Sequence, residues 1–204
     1  AFDGKRERGT IPPGETEGEA LLAVYAPDQQ EVIAQGRIDP DHGEIPAAKT
    51  VLQEVDLQGK VVVGDALHAQ RDLSEQVVKA GGDYLWTIKE NQPNTYHAIE
   101  LLFTTPDPVK DGLDFQTAHK VNKGHGRIDE RTLTSSNLLN KYLDWPSVHQ
   151  VFRLERNFSF RRKGQVGRIE HFVHYGLTSL PRTMADAAQL MSFKRKYWQI
   201  ETVL

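Results

Sequence analysis

The stretch Lys60-Val61-Val62-Val63-Gly64-Asp65 constrains this chain most: three consecutive β-branched residues, a glycine, then a carboxylate followed by polar residues. A short apolar run bounded by Gly reads as a buried central strand. In open α/β sheets, ligands bind outside the carboxyl ends of such strands. Asp65 is therefore the first candidate for chemistry. An Asp at this place also suits the N-cap of a following helix, and the run alone does not separate the two readings.

The flanking pattern gives the strand a context. Ala20–Ala26 and Glu31–Ile38 surround Pro27-Asp28-Gln29-Gln30, and Pro at the second turn position followed by Asp predicts a hairpin. Ile45, Ala48, Val51, Leu52 and Val55 recur at three- and four-residue intervals, one face of a helix. A second helix is expected from about Ala69 to Ala80, with Leu73 and Val77 inward and Gly81-Gly82 as its stop. Tyr84–Ile88 reads as a strand, and Pro93 opens a helix carrying Tyr96, Ile99, Leu102 and Phe103 inward. The order β-β-β-α-β-α-β-α is the layout of a ribonuclease-H-like core, an α/β fold with a mixed sheet flanked by helices. Its first strand, around Asp3, is short because the chain begins so close to it.

From Thr104 the texture changes. Strand-like runs at Ile128–Leu133, Val148–Phe160 and Ile169–Tyr175 replace helical periodicity. Thr183-Met184-Ala185-Asp186 then has the spacing of a capping-box variant, predicting a helix through Met184, Ala188, Met191, Arg195 and Trp198, with Glu201 near its end. The expected division is a core over 1–105, a β-rich insertion over 106–180, and the last core helix over 181–204.

Composition narrows the function classes. The 204 residues include no Cys, which excludes disulfides, thiolate metal sites and a cysteine nucleophile and fits a reducing cytoplasm. No apolar run approaches a membrane span, and the N-terminus lacks the layout of a secretory signal. A net charge of −3 exerts no global pull on nucleic acid, so such binding needs a local patch. Arg153, Arg156, Arg161, Arg162, Lys163 and Arg168 supply one, although a solvated hairpin with a basic tip has the same composition. His171 and His174 make a poor zinc pair, because an odd offset in a strand sends them to opposite faces.

Several motifs occur together: Asp3-Gly4-Lys5 with Arg8-Gly9-Thr10; Gly64-Asp65-Ala66-Leu67-His68-Ala69-Gln70; Gly81-Gly82-Asp83-Tyr84-Leu85; Lys89-Glu90-Asn91-Gln92-Pro93; His125-Gly126-Arg127-Ile128 with Glu130; and Arg195-Lys196-Tyr197-Trp198-Gln199-Ile200-Glu201. In this order, and covering nearly the whole chain, they resemble the ISAs1-family transposases. That group includes the H-repeat-associated proteins and is similar in catalytic design to IS4-type DDE enzymes.

The resemblance implies a core in which Asp3, Asp65 and Glu201 hold two Mg²⁺ (or Mn²⁺) ions for cleavage and strand transfer of DNA. Hard oxygen ligands suit that ion. It further implies DNA as the partner, both element ends and target, with a homodimer as a further expectation. DNA contact is expected at His68, His125, Arg127, Arg161, Arg162, Lys163, Lys194, Arg195 and Lys196. For Lys194, Arg195 and Lys196 the competing account is compensation of a helix C-terminal dipole. Two features depart from the family pattern: Tyr197 stands where a His usually precedes the Trp, and Thr202-Val203-Leu204 replaces the usual continuation. A trimmed chain and a decayed copy are the two readings of these departures, and an inactive transposase-derived DNA-binding remnant is the alternative to the enzyme.

Overall fold

The structure is a computed structural model that describes residues 1–6, 20–105, 114–124, 126–162 and 165–197. Asp3, Arg161 and Arg162 are described in their backbone alone, and His125, Lys163 and Glu201 lie outside the described residues. The chain separates into two compact units, one of Ala1–Trp86 with Phe193–Leu204 and one of Thr87–Ser192. The described residues form a mixed α/β architecture with four helices and both parallel and antiparallel strand pairs. No helix among them is long and apolar enough to cross a membrane.

The first unit holds β1 (Phe2–Arg6), β2 (Ala20–Ala26) and β3 (Glu31–Arg37) as an antiparallel sheet in that order. The β2–β3 hairpin closes through 27–30 as the Pro-Asp signal predicts, with Gln30 in the left-handed region at φ 58°. Leu22, Ala23, Val24 and Tyr25 are all buried, so both faces of β2, the middle strand, are covered. Helix α1 (Glu44–Gln53) packs on β2 and β3 through Ala48, Val51 and Leu52, the stripe expected from its periodicity. The chain then enters β4 (Val61–Gly64), continues through α2 (Arg71–Lys79), and returns as β5 (Asp83–Ile88). β4 and β5 pair in parallel from Val61 opposite Asp83 to Gly64 opposite Trp86, the arrangement a crossover helix imposes. β1 lies against β4, although the two belong to separate hydrogen-bonded sheets.

Gly64 is at a point of close approach. A Cβ there would come within 2.8 Å of the Trp86 ring and 3.2 Å of His68 Cβ, so the residue before Asp65 must be small. Trp86 itself is fully buried and donates from Nε1 to Ser74 Oγ of α2 at 2.9 Å, which ties α2 to β5 and satisfies the indole.

In the second unit, α3 (Pro93–Thr104) starts at Pro93 and buries Ile99 completely. Tyr96 and Phe103 meet Tyr175 with ring centroids 5.4 and 6.4 Å apart. β6 (Phe115–Gly124), β7 (Arg127–Ser136), β8 (Gln150–Arg162) and β9 (Gln165–Thr178) run antiparallel in the order β6-β7-β8-β9. The last pair is a hairpin of 13- and 14-residue strands. Its base is core, with Val151, Phe152, Leu154 and Leu177 buried, while Phe160, Ile169 and Phe172 nearer the tip are exposed.

The final helix departs from expectation in phase. α4 (Ala187–Tyr197) is capped by Asp186: its Oδ1 accepts from Gln189 N–H at 2.8 Å, and Gln189 Oε1 accepts from Asp186 N–H at 3.0 Å. This reciprocal box replaces the expected start at Thr183, because the Asp-x-x-Gln pair satisfies two donors that Thr183 would leave open. The buried stripe is accordingly Ala187, Leu190, Met191, Lys194 and Tyr197. Met184, Ala188 and Arg195 of the expected stripe are exposed.

Candidate active site

The site is built where β4 ends. Asp65 leaves the strand directly after Gly64, and its Oδ1 accepts the backbone N–H of Leu67 at 3.0 Å and of His68 at 3.4 Å. These bonds fold 65–68 back on themselves, as Asx turns do. Helix α2 begins only at Arg71, with Gln70 at its N-cap and no side-chain cap. The capping reading of Asp65 is thereby excluded.

His68 completes the arrangement. Its Nδ1 lies 2.9 Å from the same Asp65 Oδ1, and its Nε2 lies 2.9 Å from Glu44 Oε1, in the first turn of α1. Its side chain is 1% exposed, against 21% for Glu44 and 46% for Asp65. The Glu44 carboxylate in turn rests on Gly4, where a Cβ would come within 2.7 Å of it. One chain of contacts therefore runs from the backbone of the residue after Asp3, through Glu44 and His68, to Asp65.

The electrostatics follow from this geometry. Burial pushes the His68 ring down, but the hydrogen bonds to Asp65 and Glu44 and the charges of both carboxylates outweigh it and raise the pKa. A carboxylate oxygen beside each nitrogen is satisfied at both ends only when both nitrogens carry protons. Burial likewise pushes Asp65 up, yet the hydrogen bond and charge of His68, with the two backbone N–H groups, hold its carboxyl below the usual range.

These opposite shifts define a pH window. The lowered Asp65 contributes stability above the unfolded value of about 4, lost as pH falls through the folded pKa; the raised His68 contributes below about 6.5, lost as pH rises through its folded pKa. The stability difference between wild type and His68→Gln should therefore be largest from about pH 4 to 6.5 and shrink on either side. Urea unfolding across pH measures it, and a difference flat with pH would contradict the ionic pairing.

All described donors converge on Oδ1, and among the described residues none donates to Asp65 Oδ2. One oxygen is fixed, and the side chain is 46% exposed, so a carboxylate oxygen of the kind a hard divalent cation takes is accessible there. No group of three or more metal-ligating side chains is assembled among the described residues. Of the expected triad, only the Asp65 carboxylate falls within them. Asp3 stands in β1 with its backbone opposite Ala23, and Glu201 lies outside.

The expected DNA contacts divide. Arg127 lies over the Phe158 and Phe160 rings at 5.1 and 5.2 Å, forming an exposed guanidinium–aromatic stack on the β7–β8 pair. Arg156 forms a two-pronged pair with Asp129, which Arg131 also contacts, and Arg153 pairs with Glu155, so both patch members are engaged by carboxylates within their own unit. Arg168 and Arg195 are exposed. Lys194 is 4% exposed with its ammonium 4.9 Å from the Tyr197 ring centroid, and Lys196 pairs with Asp28. Neither lysine of α4 presents an uncommitted charge to solvent, because the helix phase turns Lys194 inward. His68 is likewise buried, between two carboxylates.

Glu44 is the site residue that sequence reasoning does not find. A glutamate in a helix's first turn reads as a partner for the helix dipole, and only the packing of α1 beside β4 reveals a second role.

Comparison with known proteins adds an independent finding. A family model described as a transposase DDE domain matches residues 16–204. Among curated proteins, the chain is 30% identical over 132 residues to the "H repeat-associated putative transposase YbfD" of Escherichia coli (strain K12), covering 64% of this chain and 51% of that protein. It is 27% identical over 209 residues to YhhI of the same organism, which carries the same descriptive name, covering 100% and 51%. It is also 29% identical over 158 residues to an uncharacterized protein in the dhlA 3' region of Xanthobacter autotrophicus, covering 76% and 52%. The chain spans about half the length of these curated relatives.

Proposed function

Because the chain belongs to the transposase DDE domain family, we propose that it is a catalytic core of ISAs1 type that cleaves DNA phosphodiesters and transfers strands with divalent metal. The observation that carries the proposal is the Asp65 carboxylate at the exit of β4, one oxygen pinned by His68 and two backbone N–H groups and the other without a donor among the described residues. The strand order β1-β2-β3-α1-β4-α2-β5-α3 supports a ribonuclease-H-like core, and the packing of β1 against β4 supports a shared site for Asp3 and Asp65. Asp3, Asp65 and Glu201 would hold two Mg²⁺ or Mn²⁺ ions. When bound, such a pair stabilises the charge on the attacking and leaving oxygens of the phosphodiester. The residues' own work is to fix the carboxylates before substrate arrives, so that little reorganisation remains for the reaction.

Nicking of supercoiled DNA in Mg²⁺ or Mn²⁺, abolished by chelation, tests the proposal. DNA binding without nicking in any divalent metal would instead make the chain a transposase-derived DNA-binding remnant.

DNA contact is assigned to the insertion over 106–180, at His125, Arg127, Arg161, Arg162 and Lys163, with Arg195 on the last helix. Phosphate contacts release counterions, and each neutralised phosphate contributes about 0.9 to the slope of log affinity against log salt. Neutralising Arg161, Arg162 and Lys163 together should therefore flatten that slope by about two to three. Neutralising Arg153 and Arg156 should change it little, since both cations are already paired with Glu155 and Asp129. Titration at several salt concentrations measures this; an unchanged slope in the triple variant would show the tip to be solvated decoration.

A further inference from the structure

We infer that Glu44 is a positioning residue of the metal site, acting through His68 to fix the Asp65 carboxylate. The inference rests on the metal-dependent reading above and deepens it. Three facts carry it. Glu44 Oε1 and His68 Nε2 are 2.9 Å apart, an ion-pair contact off the ideal hydrogen-bond direction, and both atoms are shut off from water. His68 Nδ1 meets the Asp65 oxygen that the backbone already holds. Glu44 itself is braced on Gly4, in the strand that carries Asp3. An imidazole held at one nitrogen alone can swing about its own side-chain bonds, whereas one held at both has a single orientation. Glu44 therefore narrows the orientations open to the buried His68 ring, and His68 passes that order to Asp65, whose Oδ2 receives no donor among the described residues. Histidine–carboxylate partners outside a metal's direct ligands act in this way, and their loss typically costs about 10- to 100-fold in metal affinity.

Glu44 belongs to α1, on the other side of β4 in sequence from Asp65, so the contact also couples two elements that the chain could otherwise place independently. The contact of Glu44 Oε1 with His68 is what supports positioning. Glu44 Oε1 is occupied by His68, and its carboxyl carbon and both oxygens lie within 3 Å of where a Gly4 Cβ would be.

The test is Mn²⁺ binding followed by the loss of the free-ion electron paramagnetic resonance signal, with a short DNA duplex present and cooperative unfolding checked for each variant. Glu44→Ala should weaken binding by about 10- to 100-fold. Glu44→Gln, which keeps the acceptor oxygen, should recover to within a few-fold of wild type and serves as the arm least exposed to misfolding. In a His68→Ala background, Glu44→Ala should add nothing further, because the route through the imidazole is already gone. Wild-type affinity in Glu44→Ala, or fully additive losses in the double variant, would overturn the inference. An equal loss in Glu44→Gln and Glu44→Ala would also overturn it, making Glu44 a ligand. Asp65→Asn separates the two levels of the argument. If it loses Mn²⁺ while Glu44→Ala keeps it, only the positioning role fails. If Asp65→Asn binds Mn²⁺ as wild type does, or wild type binds none, the metal-dependent reading fails with it.

Discussion

Asp65→Asn is expected to lower metal-dependent DNA nicking by orders of magnitude while leaving DNA affinity nearly unchanged. The amide keeps the size and shape of the carboxylate and can still accept from the Leu67 and His68 N–H groups that shape the turn. It loses the negative charge that a divalent ion needs from its ligand, and it removes one of the two carboxylates beside the His68 ring. Groups that act as a unit lose most of their effect when any one is removed, so the deficit should be close to that of Asp3→Asn or Glu201→Gln, and pairs of these changes should add little. Nicking rates on supercoiled DNA under matched metal concentrations measure this. Equal rates in wild type and variant would remove Asp65 from the chemistry.

The largest expected effect on stability is at Trp86. Its side chain is fully buried, lies parallel to Tyr84 with centroids 5.6 Å apart, donates to Ser74 Oγ, and fills the space that Gly64 leaves open. Trp86→Ala should cost about 3–5 kcal/mol, since both the transferred surface and the residual cavity count against the folded state. Trp86→Phe should cost less, but more than packing alone suggests, because Ser74 Oγ loses the indole donor in a buried setting. Urea-induced unfolding distinguishes the two. A loss below about 1 kcal/mol in Trp86→Ala would contradict the packing around β4 and β5.

How far the sequence carries the fold is best seen in particular elements. β4 and α1 were legible because their signals are local: a β-branched run ended by glycine, and an apolar stripe at helical spacing. The hairpin turn was legible because Pro and Asp fix backbone angles whatever surrounds them. α4 was misphased because two capping signals overlap within four residues, and the choice between Thr183 and Asp186 depends on Gln189 reaching back. That error carried Lys194 from the expected outer face to the inner one.

The site divides along the same line. Asp65 was readable as a strand-end carboxylate, since position along one element suffices to nominate it. Glu44 was not, because its partnership with His68 spans 24 residues and exists only once α1 packs beside β4. The basic patch looks uniform as a sequence; pairing across strands engages Arg156 with Asp129, which Arg131 shares, and a neighbour along its own strand face pairs Arg153 with Glu155. Charge composition counts side chains, whereas affinity depends on those left unpaired, so the patch is smaller than its arginines suggest.

The central claim is that Asp65 shares divalent metal with Asp3 and Glu201. A crystal structure of the chain bound to DNA and Mn²⁺, with the ions located by their anomalous scattering, tests it most directly. Anomalous peaks are expected against the Asp65 carboxylate, with the carboxylates of Asp3 and Glu201 completing the same site. Manganese bound elsewhere, or an Asp3 carboxylate on the opposite side of the sheet from Asp65, would contradict it.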